Sequence, residues 1–171
     1  MNFNEMIKAR YSVRNFKQDE IPSDMLERVL EAGIYCPTAC NKQPQKIVVI
    51  SSKEKREKLK NVCRFTFDAP CIILIGYDVE RDWKNKLMPG YSSGETDAAI
   101  ATTQMMLASW EEGLGTCWVG YFNADAVRDE LELPKNLRVT ALMPIGFSQE
   151  DAKPLDMHYI NREKSDIISY M

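Results

Sequence analysis

Residues Pro70-Cys71-Ile72-Ile73-Leu74-Ile75-Gly76-Tyr77 hold the longest apolar run of the chain. An unbroken run of this length, without alternation of polar residues, predicts a strand that is covered on both faces at the centre of a sheet. Two more long strands are predicted, at Lys46–Ser51 and at Leu137–Phe147. The last one carries Pro144, and we expect this proline at a bulge or a sheet edge because it cannot donate a ladder hydrogen bond.

Helical patterns surround these strands. Asn2 and Glu5 have the spacing of a capping pair before a short helix. A second helix is expected to open at Pro22-Ser23, with an apolar stripe, and to stop before Pro37. The remaining predicted elements are helices at Lys53–Lys60, Glu95–Glu112 and Asn123–Leu131, a short strand at Thr116–Gly120, and a long loop or lid at Asp78–Gly94.

The composition indicates one globular domain over residues 1–171. Of the 171 residues 44% are hydrophobic and 27% are charged, with a net charge of −3 and a pI of about 5.3. Such a chain has no positive field for nucleic acid or an anionic membrane. Because its longest apolar run is too short for a bilayer and the amino terminus has no apolar signal region, we expect a cytoplasmic protein.

The cysteines give no sign of a disulfide framework or a metal site. There are five, an odd number, and none forms a CxxC pair. Reduced, mostly buried thiols are expected. Cys36, Cys40 and the single histidine, His158, lack the spacing of zinc ligands, so we predict no metal. The scarcity of histidine also argues against Cys/His or Ser/His nucleophilic catalysis.

The segment Arg10-Tyr11-Ser12-Val13-Arg14 is the first candidate site. If it is extended, Arg10, Ser12 and Arg14 point to one side, because strand side chains repeat every second residue. Two guanidinium groups and a hydroxyl suit a phosphate monoester. The alternative is a solvated basic edge, which is common on exposed strands.

The second candidate is Pro37-Thr38-Ala39-Cys40-Asn41-Lys42-Gln43-Pro44. Its small residues let the backbone approach a flat ligand closely, and the amides of Asn41 and Gln43 could read the pyrimidine edge of a flavin. The alternative is a rigid connector in which both amides satisfy the loop's own backbone. A third stretch, Gly113-Leu114-Gly115, is no dinucleotide fingerprint, since position 118 is Trp and a helix precedes it.

Taken together, these stretches resemble the FMN-dependent nitroreductase family. Arg10–Arg14 resembles its R-x-S-x-R, Pro37–Pro44 its P-S-x-x-N-x-Q-P, and Gly113–Gly120 its G-L-G-T-C-W-x-G. The tail Lys153-Pro154-Leu155, with His158-Tyr159 and Asn161-Arg162, is similar to the end of the compact members. The likeness runs in the family's order over nearly the whole chain, which is more specific than any single motif.

The resemblance implies an α+β fold, with a mostly antiparallel central sheet flanked by helices, in an intertwined homodimer. It also implies an FMN site. Arg10, Ser12 and Arg14 would hold the phosphate and ribityl chain, with Tyr11 among the cofactor-binding residues and Lys153 as a further phosphate partner. Pro37, Thr38, Ala39 and Asn41 would line the ring from the other subunit, with Gln43 nearby. Val119 and Gly120 would place backbone groups near N5. Cys40 and Gln45 depart from the usual pattern, which bears on the depth and polarity of the pocket.

The implied activity is that of an oxidoreductase. A hydride would pass from NAD(P)H through flavin N5 to a small electron-poor acceptor such as a nitroaromatic or quinone. The cofactor carries this chemistry, so no catalytic side chain is expected. Two alternatives stay open: a flavin-binding or storage module without steady turnover, and a specialised branch of the superfamily with reductive dehalogenation or flavin-consuming chemistry.

Overall fold

The computed structural model describes residues 2–171 and consists of an antiparallel sheet with helices on both faces. The helices are α1 (Phe3–Ala9), α2 (Ser23–Ile34), α3 (Lys53–Val62), α4 (Gly94–Glu111) and α5 (Ala124–Glu130). The strands are β1 (Gln45–Ile50), β2 (Cys71–Asp78), β3 (Gly115–Thr116) and β4 (Leu137–Gly146). Short 3-10 turns cover Ala39–Asn41, Asp156–Tyr159 and Lys164–Asp166. The predicted α+β class with an antiparallel central sheet is confirmed.

The strand predicted to lie at the centre does so. The sheet order is β1-β2-β4-β3, and every residue of β2 is buried. Ile72 and Leu74 belong to one apolar cluster, whereas Ile73 and Ile75 belong to another. Because strand side chains alternate between faces, β2 contributes to two cores at once. The first core includes residues of α3 and α5, and the second includes residues of α2 and α4.

Pro144 lies where the sequence did not predict it. It is neither at a bulge nor on an edge, because β4 is an inner strand and Pro144 pairs in register with Ile72. The register of the β2–β4 pairing shifts elsewhere, between Ile75 and Gly76 of β2. On its other side, the Pro144 carbonyl accepts a bond from the Cys117 amide at 3.3 Å. Pro144 has no backbone N–H to donate to Cys117 in turn. The regular part of β3 ends one residue before Cys117, at Thr116.

The helix boundaries follow local signals in the sequence. Asn2 and Glu5 form the predicted capping box of α1, with bonds of 2.9 and 3.0 Å. Asn123 caps α5 through the Ala126 amide at 3.0 Å. Helix α4 ends before Gly113, whose φ of +77° suits a residue without a Cβ. The predicted strand at Thr116–Gly120 is shorter than expected, with an isolated bridge at Val119.

Residues 79–93 connect β2 to α4 without helix or strand, as predicted for this loop. The five cysteines are free thiols, and all but Cys40 are buried. Across residues 2–171 no helix combines the length and the apolar character that crossing a membrane requires.

Candidate functional site

The segment Arg10–Arg14, called here the cationic segment, follows α1 and is attached to the sheet through its backbone. Ser12 forms a parallel bridge with Thr116, and the Val13 amide donates to the Thr116 carbonyl at 2.9 Å. The Val13 side chain is completely buried in a small apolar cluster. With Val13 directed inward, the residues on either side of it are directed toward the surface.

Arg10, Ser12 and Arg14 converge on one cleft, as the sequence predicted. The cleft has a volume of about 210 Å³, and its wall is completed by Tyr11 and the tail residues Pro154, Leu155, Met157 and His158. The same three residues influence the Cys117 thiol. Burial raises the pKa of Cys117, while the charge of Arg14, the Ser12 hydroxyl and the charge of Arg10 lower it, in that order. Two positive charges and a hydroxyl therefore act on a common region.

Both arginines remain available to a ligand. Among residues 2–171 no carboxylate lies within ion-pair distance of Arg10 or Arg14. One bond, from the Arg14 guanidinium to the Ser12 carbonyl at 3.0 Å, orients that side chain. Unpaired guanidinium groups beside a hydroxyl are a donor set that fits a phosphate dianion. The donor set of this cleft therefore fits a phosphate group.

A second cleft of about 230 Å³ adjoins the first, and Arg14 lines both. Four of its other lining residues are aromatic, and the full set is Phe65, Phe67, Cys117, Trp118, Val119, Gly120 and Tyr121. The Val119 amide and carbonyl are both engaged with Leu142, at 2.9 and 3.0 Å. Gly120 is exposed, and a Cβ added there would meet no atom within 4 Å, so the space beside this residue is open. Sequence reasoning missed Phe65 and Phe67, because no local pattern relates them to residues 117–121.

The proline-bracketed loop, Pro37–Pro44, is held by its own polar side chains. The backbone amide of Gln43 donates to Thr38 Oγ1 at 3.0 Å, and the side-chain Nε2 of Gln43 donates to Asn41 Oδ1 at 3.2 Å. Cys40, Asn41 and Gln43 have φ values of +50°, +51° and +49°. Each residue in this left-handed region costs about 1–2 kcal/mol. The loop therefore has part of what the rigid-connector alternative predicted, since its polar groups bond within the loop. Its backbone is also strained at the three residues with positive φ.

One protomer does not bring the loop and the cationic segment together. The Ala39 amide donates to Asp97 Oδ1 at 3.0 Å, in the first turn of α4. The Tyr11 ring packs edge-on against Trp110 at 5.4 Å, in the last turn of the same helix. Thirteen residues separate Asp97 from Trp110, which is about 20 Å along the helix axis. The two halves of the predicted site are therefore at opposite ends of α4.

The structure places three further residues that the sequence singled out, and it does not bring the predicted phosphate partner Lys153 to the cationic segment's clefts. The Tyr11 hydroxyl donates to the Ala152 carbonyl at 3.0 Å, so Tyr11 attaches the tail to the cationic segment. Lys153 is exposed and lines neither of the two clefts just described. Gln45 Nε2 donates to the Gly33 carbonyl at 3.4 Å, which turns this side chain toward α2. Within residues 2–171, no group of three or more His, Cys, Asp or Glu side chains is placed to hold a metal ion.

Comparisons with known proteins agree with this architecture. The family model described as the Nitroreductase family matches residues 7–64 and 61–147. A nitroreductase family protein from Clostridium difficile 630 has a solved structure that is 36% identical, with a TM-score of 0.92, covering 99% of this chain and 98% of that one.

Two more distant relatives have names that include the cofactor. An FMN-dependent nitroreductase from Clostridium difficile R20291 is 27% identical, with a TM-score of 0.74 over 92% of this chain and 96% of that one. An FMN reductase [NAD(P)H] from Bacillus subtilis (strain 168) is 27% identical over 84% of this chain and 66% of its own length. The family match spans most of the chain, and the most similar of these structures agrees with it from end to end. The chain belongs to the nitroreductase family.

Proposed function

We propose that this protein is an FMN-dependent oxidoreductase that transfers reducing equivalents from NAD(P)H to an electron-poor acceptor such as a nitroaromatic or quinone. The observation that carries the proposal is the pair of guanidinium groups of Arg10 and Arg14, which have no carboxylate partner within residues 2–171 and lie beside Ser12. Arg14 also lines the second cleft, to which Gly120 belongs. Bound FMN would supply the hydride-transferring centre, N5 of its ring system. The relatives whose names include FMN and NAD(P)H support the choice of cofactor and reductant.

The chain's own residues bind and orient in this proposal. Arg10, Ser12 and Arg14 hold the phosphate, and Lys153 adds an exposed charge. Tyr11 keeps the tail closed over that cleft through Ala152. Aromatic side chains of the second cleft exclude water from one face of the ring. The Gly120 amide, rather than the sheet-bonded Val119 amide, is free to donate toward the ring, where a dipole favours developing negative charge.

A second copy of the chain completes the site in this proposal. The proline-bracketed loop contributes Pro37, Thr38, Ala39, Asn41 and Gln43, and it lies about 20 Å along α4 from the cationic segment of its own protomer. A homodimer can bring the loop of one protomer to the cationic segment of the other. The exposed tail supports this arrangement, since Met157, Ile160 and Tyr170 are 68%, 76% and 86% exposed. Apolar side chains so exposed in one stretch are typical of an interface.

We also propose that residues 1–171 form one domain. Both apolar cores share the strands β2 and β4, so neither core can be separated from the other.

The proposal is tested on the purified protein. We expect a yellow preparation with flavin absorption, release of FMN on heating, sedimentation as a dimer, and oxidation of NADH or NADPH that accelerates when a nitroaromatic is added. A colourless protein that does not take up added FMN would refute it. Tight FMN with reduction slower than about one turnover per minute would instead favour a storage module, because ordinary enzymes turn over far faster.

A further inference from the structure

Asp97 is a buried carboxylate at which three segments of the chain meet. It lies in the first turn of α4 and is 2% exposed. The Ala39 amide donates to its Oδ1 at 3.0 Å, which attaches the proline-bracketed loop. The Ser93 hydroxyl donates to its Oδ2 at 2.7 Å, which attaches the end of the long loop 79–93. Both carboxylate oxygens are therefore used.

Packing alone does not account for a carboxylate at this position. Within residues 2–171 no Lys, Arg or His lies within ion-pair distance of Asp97. Burial of a carboxylate without a cationic partner is unfavourable, and only its hydrogen bonds and the positive end of the α4 dipole offset that cost. An apolar side chain would fill the same space without this penalty. What the carboxylate provides is two acceptors directed at two loops.

The segment that Asp97 holds is the strained one. Ala39 begins the short 3-10 turn whose next two residues, Cys40 and Asn41, are in the left-handed region. Such a conformation persists only where surrounding contacts determine it. Other contacts of the turn lie within the loop, such as the bond from the Gln43 amide to Thr38 Oγ1. Asp97 ties the turn to the helix scaffold.

A neighbouring thiol shows that the same carboxylate influences the start of the loop. Burial raises the pKa of Cys36, and the charge of Asp97 raises it further. Cys36 immediately precedes Pro37. Asp97 therefore lies near the loop's entry as well as at its turn.

We propose that Asp97 is a positioning residue that holds the proline-bracketed loop in the conformation that faces the flavin ring. The role in ligand binding rests on the proposed function above, whereas the role in holding the loop does not. Asp97 touches neither cleft that the cationic segment lines, so it acts through the backbone of Ala39.

Two measurements on Asp97→Ala test this role. The first is amide hydrogen exchange of the FMN-free protein, because the amides of Ala39, Asn41, Lys42 and Gln43 each have a hydrogen-bond acceptor in the structure. We expect these amides to exchange about tenfold faster or more, since the turn loses its anchor. The second is the dissociation constant of FMN, which should rise about tenfold.

Ser109→Ala is the matched control. Ser109 is a buried residue of the same helix, and its hydroxyl donates to the Met105 carbonyl at 2.7 Å without contacting the loop. This variant should leave loop exchange and FMN affinity unchanged. Asp97→Asn keeps an acceptor for the Ala39 amide and should recover most of the loop protection.

If Asp97→Ala does not fold, Ala39→Pro removes the same hydrogen bond from the other side. Thr38 has φ −133° and ψ 155°, the extended conformation that a following proline prefers, and Ala39 is the first residue of a turn. Faster exchange at Asn41 and Gln43 is again expected. Unchanged exchange and unchanged FMN affinity in a folded Asp97 variant would overturn the proposal, as would equal losses in Ser109→Ala. A parent protein without FMN affinity would refute the proposed function, while the exchange measurement would still decide the role of Asp97.

Discussion

The cationic segment and the proline-bracketed loop are both candidate binding elements, but they are prepared for a ligand in opposite ways. In the cationic segment the backbone is attached to the sheet, while the side chains of Arg10 and Arg14 have no carboxylate partner in the part of the chain that the structure describes. In the loop, Thr38, Asn41 and Gln43 are already bonded to one another or to their own backbone. The cationic segment therefore presents charged donors to a ligand, whereas the loop presents a surface of fixed conformation.

This difference predicts unequal effects of mutation in the two regions. A charged contact to a phosphate contributes more than a neutral one, because charge-assisted hydrogen bonds are roughly twice as strong. Removing a loop amide also leaves its partner amide free to rearrange. Substitutions in the cationic segment should therefore have the larger effect on FMN affinity.

The largest effect is expected for Arg14→Ala, because Arg14 lines both clefts. Loss of a charge-assisted contact should cost about 1.5–3 kcal/mol, which weakens FMN binding roughly tenfold or more. Titration of the FMN-free protein with FMN, followed by flavin fluorescence, measures the change. Arg138→Ala is the control, since Arg138 is also exposed but lines neither cleft. Equal FMN affinity in the Arg14 variant and the parent would remove Arg14 from the site.

A smaller effect is expected for Asn41. Asn41→Leu removes the amide but also places a branched side chain at a φ of +51°. Asn41→Gly removes the amide without that strain, so it isolates the contribution of the side chain. For the glycine variant we expect about 0.5–1.5 kcal/mol of lost FMN binding, or a shift of the flavin reduction potential. Lys42→Leu, in the same exposed loop, is the control. If neither affinity nor potential changes, the loop is a structural connector.

The smallest effect is expected for Lys153→Ala. Lys153 is exposed in the tail, and exposed ion pairs contribute about 0–1 kcal/mol. We expect a loss of FMN affinity of about fivefold or less, which disappears as the salt concentration rises. Titrations at low and high salt measure it. A loss as large as that of Arg14→Ala, and insensitive to salt, would show that Lys153 contacts the phosphate directly.

Local signals in the sequence predicted most of the fold. The apolar run at β2, the cap of α1 by Asn2 and the cap of α5 by Asn123 depend on neighbours within a few residues, so they can be recognised without a tertiary structure. The prediction for Pro144 was wrong because its position depends on the opposite strand. Pro144 is accommodated in the inner strand β4 because the regular pairing of β3 ends just before the residue opposite it. The sequence of residues 137–147 alone does not show where β3 ends.

In the candidate site too, the features that depend on local sequence were predicted, and those that depend on distant residues were not. The alternation of Arg10, Ser12 and Arg14 was enough to predict a shared cleft, since two-residue periodicity is a local property. Phe65 and Phe67, the anchoring of Ala39 by Asp97 and the use of the Val119 amide by Leu142 were not predicted. Each of these depends on residues more than fifteen positions apart along the chain.

By itself the sequence determined which elements form, where helices α1 and α5 begin, and which side chains carry charge, because periodicity, caps and residue chemistry are short-range properties. Only the tertiary structure decided that the cationic segment and the proline-bracketed loop lie at opposite ends of α4, and which amides remain free. Those facts depend on how helices pack across the two faces of the sheet. Packing joins residues that no local pattern relates, and it therefore decides which of the predicted donors a ligand can reach.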